Sequence, residues 1–154
     1  MMALLLLCSC TARMDRYPTK TVDLFFPMTE REQKMTSGQQ AGIECTAPSG
    51  IKGVTVWLPE NAAVDFLLYI YPASGSYEET VGKKVPALKK EVHASASQGS
   101  VTVYFNGPQA GRCYVVLEPQ TDGSAVFCLS RDGTVGYLDG HVSLTVPKIS
   151  LLCE

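Results

Sequence analysis

The segment AVDFLLYIYP (residues 63–72) decides the fold class of this chain. Side chains of successive residues point to opposite faces of a β-strand, so a period of two along the sequence predicts a strand. Alternate positions here fall into two sets, one wholly apolar and one containing tyrosines: Val64, Phe66, Leu68 and Ile70 against Asp65, Leu67, Tyr69 and Tyr71. The segment therefore predicts a β-strand with one purely apolar face.

The same period continues on both sides of this segment. GVTVWLP (53–59) places Val54 and Val56 opposite Thr55 and Trp57. SVTVYF (100–105) divides in the same way: Val101, Val103 and Phe105 against Thr102 and Tyr104. Turn formers such as PSG, FNGPQAG and TDGS separate the apolar segments at intervals of roughly ten residues. This pattern predicts an all-β fold, an antiparallel β-sandwich or jelly roll of about 7–9 strands.

The domain organisation follows from length and composition. With 154 residues the chain has the size of one domain and is long enough to bury a core. We predict a leader over residues 1–10, a tether over residues 11–40 and a β-sandwich domain over residues 41–154. The apolar VDLFFP (22–27) is a candidate first strand within the tether, and the charged TEREQK (29–34) is either a turn of helix or more linker.

One other stretch carries some helical character. YEETVGKKVPALKKEV (77–92) is interrupted by Gly82 and Pro86. Because proline in a helix interior removes a hydrogen bond and clashes with the preceding turn, we predict a loop here. The strand ALKKEVHASA (87–96) is expected to follow the loop.

The charge distribution argues against nucleic acid as a partner. The formal net charge is −2 and no block of five like charges occurs. Binding to phosphates requires concentrated lysine or arginine. The basic pairs at 83–84 and 89–90 are interpreted as solvated loop and strand-edge lysines.

The amino-terminal MMALLLLCSC suggests export. The run Leu7-Cys8-Ser9-Cys10 resembles the lipobox of bacterial lipoproteins, and that resemblance implies that Cys10 becomes the lipidated first residue of the mature chain. The alternative is a short strand or an unstructured end. No stretch approaches the eighteen consecutive apolar residues of a membrane-spanning helix, so membrane contact is expected only through a lipid anchor. The predicted location is the outer or cell-surface membrane, or the periplasm or extracellular space.

Four cysteines remain after the leader, and an even number in an exported chain points to disulfides. A hairpin turn centred in LEPQTDGSA (117–125) makes Cys113 face Cys128, close enough for a strained bridge. Cys45 and Cys153 would then join the first and last strands. A register shift of one residue would break the first pairing and leave two buried thiols.

The order of segments over residues 43–146 resembles the jelly-roll accessory modules of secreted bacterial glycoside hydrolases. The resemblance is carried by VDFLLYIYPASGSYEETVGKKV (64–85), by VTVYFNGPQAGRCYVVLE (101–118) and by the late turn GYLDG (136–140). It implies a jelly-roll fold and a non-catalytic module. A fold of this kind hosts many functions, so the ligand must be argued from residues.

The sequence gives little support for catalysis or for a metal. A nucleophilic cysteine needs a base within hydrogen-bond reach, but Cys113 lies within a predicted strand and the two candidate bases, His93 and His141, lie at a strand edge and a turn. Asp132 and Asp139 precede glycine in tight turns, which is ordinary turn chemistry. We predict no enzyme activity, no metal and no cofactor, with a structural calcium held by loop carboxylates as an open alternative.

Binding is the better-supported function. The non-core face of the strands carries a set of rings and one carboxylate: Trp57, Asp65, Tyr69, Tyr71 and Tyr104. Neighbouring strands would align these rings into a platform for sugar rings, whose C–H-rich faces pack on aromatic faces. Arg131 and Tyr137 at a loop end form an alternative site. We therefore expect a carbohydrate or glycan ligand; the competing hypothesis is a structural or protein-interaction lipoprotein in which the same rings are core or protein contacts.

Overall fold

The computed structural model describes residues 18–25, 30–60, 63–95, 99–129 and 134–154. Within these ranges the chain forms thirteen strands and one short helix: β1 (Lys20–Asp23), β2 (Glu30–Met35), β3 (Ala41–Ala47), β4 (Ile51–Trp57), β5 (Ala63–Pro72), α1 (Tyr77–Val81), β6 (Leu88–Ser95), β7 (Ser100–Tyr104), β8 (Gly111–Pro119), β9 (Gly123–Leu129), β10 (Gly136–Leu138), β11 (His141–Ser143), β12 (Thr145–Pro147) and β13 (Ile149–Cys153). All ladders are antiparallel, so the predicted all-β antiparallel sandwich is confirmed. The strand number exceeds the expected 7–9 because β10, β11 and β12 have only three residues each, and because β1 and β2 lie in the segment predicted to be a tether.

The strands form three hydrogen-bonded sheets. The first has four strands in the order β1-β13-β4-β7, and the second has six in the order β11-β10-β3-β8-β5-β6. A third sheet, β12-β9-β2, has three strands. Val146 of β12 enters the main core, so the small sheet is attached to the sandwich by packing as well as by chain connection.

The main core lies between the four-stranded and six-stranded sheets. It is built from the apolar face of each strand, including Val54 and Val56 of β4 and Leu68 and Ile70 of β5, which are at most 1% exposed. Burial of such side chains contributes about 1.5–3 kcal/mol each relative to exposure. The alternation in the sequence therefore assigns the core face of these strands correctly.

The amino-terminal segment contributes one strand to the four-stranded sheet and one to the three-stranded sheet. β1 pairs with β13, and Val22, Leu24 and Phe25 pack against the main core. TEREQK was expected to be a helical turn or linker, but Glu30–Met35 is strand β2, paired with β9. The expectation was wrong because β2 is an edge strand with mostly exposed charged and polar residues, so it lacks the alternation of apolar and polar residues that predicts a strand.

The predicted hairpin between the segments of Cys113 and Cys128 is not formed. β8 pairs with β3 and β5 in the six-stranded sheet, whereas β9 pairs with β2 and β12. The turn around residues 120–122 therefore carries the chain from one sheet to another. The residue opposite Cys113 on β3 is Cys45, not Cys128.

A short helix occupies part of the region predicted to be a loop. Helix α1 begins after Ser76, whose hydroxyl accepts a hydrogen bond from the Glu79 backbone N–H. The Glu79 carboxylate accepts in return from the Ser76 N–H at 3.1 Å. Its hydrogen bonds with Ser76 stabilise the charged carboxylate and therefore lower the pKa of Glu79. This capping box fixes where the helix begins. The predicted strand then follows as β6.

The two edges of the six-stranded sheet differ in length and charge. β6 has eight residues and exposes Lys89, Lys90, Glu91 and His93. β11 has three residues and exposes Val142.

In the part of the chain that the structure describes, no helix is long and apolar enough to cross a membrane. The predicted leader with Cys10, and Arg131, lie outside the described residues.

Candidate functional site

The residues predicted to form one aromatic row belong to two different sheets. Trp57 and Tyr104 lie on β4 and β7 of the four-stranded sheet, whereas Asp65, Tyr69 and Tyr71 lie on β5 of the six-stranded sheet. Because the two sheets face each other across the core, their outer faces point in opposite directions. A single continuous row of these rings is therefore not formed, and each outer face has to be considered separately.

The outer face of the four-stranded sheet carries two aromatic rings and several hydroxyl groups. We call this surface the hydroxyl-rich face. Its residues alternate with the core residues of each strand and include Asp23 of β1, Ser150 of β13, Thr55 and Trp57 of β4, and Thr102 and Tyr104 of β7. The hydroxyl oxygens of Thr55 and Thr102 are 2.9 Å apart and form a cross-strand hydrogen bond. The face thus presents a polar centre with one aromatic ring toward each end.

Trp57 is half-buried and held in a fixed orientation. Its Nε1–H donates to the Ser150 hydroxyl at 3.2 Å, and that hydroxyl donates to the Asp23 carboxylate at 2.5 Å. Phe25 meets the indole edge-on, with ring centroids 6.2 Å apart. The Lys148 ammonium lies 5.1 Å from the centroid of each of these two rings, a favourable cation–π arrangement. Because the indole is already fixed in place, ligand binding costs little further side-chain entropy there.

Tyr104 is the exposed ring of this face. It is 61% exposed, at the end of β7, directly opposite Gly53 on β4. A Cβ at Gly53 would come within 2.7 Å of the Val103 carbonyl oxygen, so glycine is required for the close approach of these strands. The Lys90 ammonium donates to the Tyr104 carbonyl at 2.9 Å and connects this strand end to β6.

The outer face of the six-stranded sheet is a second, smaller core. We call it the tyrosine cluster; its rings are Tyr69, Tyr71, Tyr77, Tyr114 and Tyr137. Tyr69 and Tyr71 stack with centroids 6.0 Å apart and are 9% and 6% exposed. Desolvation raises the pKa of both hydroxyls, and the neighbouring Glu118 raises it further. Two of the predicted ligand-binding rings are thus buried against other parts of the chain.

Tyr77 of α1 covers the tyrosine cluster. Its ring stacks on Tyr137 at a centroid distance of 4.0 Å and meets Tyr114 edge-on at 5.3 Å. The ring lies so close to Gly42 that a Cβ there would be 2.6 Å from the Tyr77 hydroxyl oxygen. That hydroxyl is buried and has no hydrogen-bond partner among the described residues. Burial raises its pKa, so it remains neutral in the physiological range.

The Tyr114 hydroxyl, in contrast, is fully engaged. It accepts from the Arg112 guanidinium at 3.1 Å and donates to the Gly75 carbonyl at 3.0 Å. Arg112 also pairs with Glu44, with Nε and Oε1 2.5 Å apart. These bonds attach the loop before α1 to the sheet. The role of this arrangement is to seal the cluster, and sequence reasoning missed it, although the spacing Ser76-x-x-Glu79 signals the helix that covers it.

The remaining predicted residues lie at edges. Asp65 accepts from His93 Nδ1 at 2.8 Å across β5 and β6, and Glu91 is 3.8 Å from the other ring nitrogen. The hydrogen bond with Asp65 raises the pKa of His93. Tyr137, the loop-end alternative, lies in β10 and belongs to the tyrosine cluster. Among the described residues no group of three His, Cys, Asp or Glu is arranged to hold a metal.

Three cysteines have described side chains, and all three are buried free thiols: Cys45, Cys113 and Cys153. Cys45 and Cys113 are direct neighbours, with their sulfur atoms 3.1 Å apart. The predicted pairing of Cys113 with Cys128 does not fit the observed strand order, because their strands share no ladder.

No protein-family model, characterised relative or solved structure matches the chain.

Proposed function

We propose that this protein is a non-catalytic, exported β-sandwich module that binds carbohydrate on the hydroxyl-rich face. The observation that supports this proposal is the placement of Trp57 and Tyr104 on one outer face, with the Thr55 and Thr102 hydroxyls between them. Trp57 pairs in register with Ser100, four residues along β7 from Tyr104. At about 3.3 Å per residue this separates the two positions by roughly 13 Å.

This arrangement suits an oligosaccharide better than a single sugar. Each ring offers an aromatic surface for the C–H-rich side of one sugar unit. The hydroxyls between the rings donate to and accept from sugar hydroxyls, and Asp23 accepts from them. The charged group among the residues that define the face is the Asp23 carboxylate, which would repel a polyanion, so a neutral glycan is favoured.

The amino-terminal sequence supports the cellular setting of this function. We propose that Cys10 is lipidated and that residues 11–40 are in part a tether, so that the hydroxyl-rich face is displayed outside the cell. The resemblance to accessory modules of secreted glycoside hydrolases favours the same setting. Mass spectrometry of the native amino terminus tests it, and an unprocessed, unlipidated terminus contradicts it.

A binding assay with a matched control tests the carbohydrate proposal. The full chain is screened on a glycan array, and hits are titrated by calorimetry with wild type, Tyr104→Ala and Val142→Ala. Removing the ring loses its stacking contact and its buried area, which together contribute about 1.4 kcal/mol or more of binding free energy, so Tyr104→Ala weakens binding about tenfold. Val142 is similarly exposed but lies on the other sheet, and its variant retains wild-type affinity. Trp57→Ala provides a second loss-of-binding variant.

The second candidate function is a structural or protein-interaction module. The observation that favours it is the exposure of Val142 in β11, at 74%, and of Leu144, two positions further along the chain, at 77%. In that case no glycan is retained by wild type, and replacement of both residues by serine abolishes co-purification of a partner. The Tyr104→Ala variant then behaves as wild type. The two functions therefore predict opposite results for substitutions at Tyr104 and at Val142.

A further inference from the structure

We propose that Cys45 and Cys113 form a cross-strand disulfide that locks β3 to β8 at the centre of the six-stranded sheet. The two residues are directly opposite each other in the β3–β8 ladder. Opposed residues of an antiparallel pair have Cα atoms about 4.5–5.5 Å apart, within the range of about 4.4–6.8 Å found in disulfides. Their sulfur atoms are already 3.1 Å apart, so closing the bond needs only a small side-chain rotation.

The geometry also selects this pair over the other combinations. Cys153 lies on β13 in the opposite sheet, where its register partners are Lys20 and Ile51. Cys128 lies on β9, whose ladders are with β2 and β12. β8 and β9 share no ladder, so Cys113 and Cys128 are not opposed in register. Among the four cysteines after the leader, Cys45 and Cys113 alone are directly opposed in one ladder of the described strands, whereas Cys153 faces them across the core from the other sheet.

The chemistry is thiol–disulfide exchange with a small-molecule disulfide, such as oxidised glutathione, or with the disulfide of an oxidoreductase. One thiolate attacks a sulfur of that disulfide, releases one thiol and forms a mixed disulfide with the chain. The second thiolate then attacks the chain sulfur and displaces the second thiol. Two cysteine thiols are oxidised, one external disulfide is reduced to two thiols, and the two cysteine protons end on the released thiols.

Burial determines when this exchange occurs. Cys45 is 7% exposed and Cys113 is 1% exposed, so an external disulfide reaches neither sulfur easily in the closed sandwich. The hydrogen bond between the two thiols lowers the pKa of Cys113 and raises that of Cys45. We expect the bond to form while the chain folds, before the core closes, and then to be protected from reductants.

Peptide mapping of the wild-type chain tests the inference. The unfolded, reduced full chain is refolded with a mixture of oxidised and reduced glutathione, remaining thiols are alkylated, and the chain is digested without reduction. The expected result is one linked pair of peptides containing Cys45 and Cys113, with Cys153 alkylated. A peptide linking Cys113 to Cys128 or Cys45 to Cys153, or alkylation of Cys45 and Cys113 in the folded product, overturns the proposal.

Variants provide a second readout. Oxidised wild type melts at a higher temperature than reduced wild type, and Cys153→Ala retains this difference. Cys113→Val and Cys45→Ala both lose it, since each removes one sulfur of the pair. If Cys153→Ala instead abolishes the difference, the proposed pairing is refuted. The experiment involves no glycan, so its outcome is independent of the carbohydrate proposal.

Discussion

Replacing Tyr77 with phenylalanine is expected to stabilise the protein. The Tyr77 hydroxyl is buried beneath α1 and has no partner among the described residues, whereas its ring stacks on Tyr137. A buried donor without a partner has lost its hydrogen bonds to water and gained none in return. Tyr77→Phe removes that group and leaves the stacked ring in place. Most substitutions of buried residues destabilise, so the sign of this effect makes it diagnostic.

The magnitude follows from the cost of the unpaired hydroxyl. Leaving a buried polar group unsatisfied costs about 1–3 kcal/mol, which Tyr77→Phe should recover in large part. For a chain of this size about 1 kcal/mol corresponds to a change in melting temperature of roughly 2–4 °C. The expected gain is therefore a few degrees. The matched control is Tyr114→Phe, which removes a hydroxyl bonded to Arg112 and Gly75 and should lower the free energy of unfolding by about 1–3 kcal/mol.

The assay is urea unfolding of both variants and wild type, followed by intrinsic fluorescence and circular dichroism. The unfolding midpoints should fall in the order Tyr77→Phe, wild type, Tyr114→Phe, with a common slope against urea concentration. If Tyr77→Phe loses as much stability as Tyr114→Phe, the Tyr77 hydroxyl has a strong hydrogen-bond partner. The description of the Tyr77 hydroxyl as buried without a partner would then be wrong.

Three further predictions concern other parts of the sandwich. Gly42→Ala should cost about 1–3 kcal/mol, because the new Cβ would be 2.6 Å from the Tyr77 ring, and the cost should shrink when Tyr77 is also replaced by alanine. Oxidation of Cys45 and Cys113, separated by 68 positions, should raise the free energy of unfolding by about 4 kcal/mol through loop closure, measured by urea unfolding with and without reductant. Because the pKa of His93 is raised in the folded state, protonated His93 stabilises the fold fully below its unfolded pKa of about 6.5, and this contribution is lost as the pH rises through the folded pKa. The melting temperatures of wild type and His93→Gln should therefore converge as the pH rises, and a constant difference contradicts this.

The faces of the strands could be predicted from the sequence because alternation is a local property of extended backbone. Val54 and Val56 lie in the core and Thr55 and Trp57 lie on the outer face, as the pattern indicates. The same holds for the two faces of β5. No information about distant parts of the chain is needed for these assignments.

The pairing of strands could not be predicted in the same way. The turn formers in PQTDG (119–123) mark a change of direction after β8, but they do not specify which sheet the next strand joins. β9 joins β2, almost a hundred residues away in sequence, because their ladder completes the small sheet. The neighbour of Cys113 was therefore assigned incorrectly, although its position inside a strand was correct.

The candidate site was only partly predictable for a related reason. Alternation shows that Tyr69 and Tyr71 point away from the main core, but not that another segment covers them. The cover is Tyr77, which fits because Gly42, 35 positions earlier, has no side chain. Trp57 and Tyr104 differ in that no helix is placed over their strands in the part of the chain that the structure describes. The sequence signal for all four rings is the same.

The unequal edges of the six-stranded sheet limit how copies of this protein associate at high density. Another strand added to β6 would remove water from Lys89, Lys90 and Glu91, and two copies of β6 would place like charges near one another. β11 offers backbone groups from only three residues. Templated polymerisation by extension of this sheet is thus disfavoured at both edges. Crowded copies can accordingly meet through side chains on their outer faces without nucleating fibrils from this sheet.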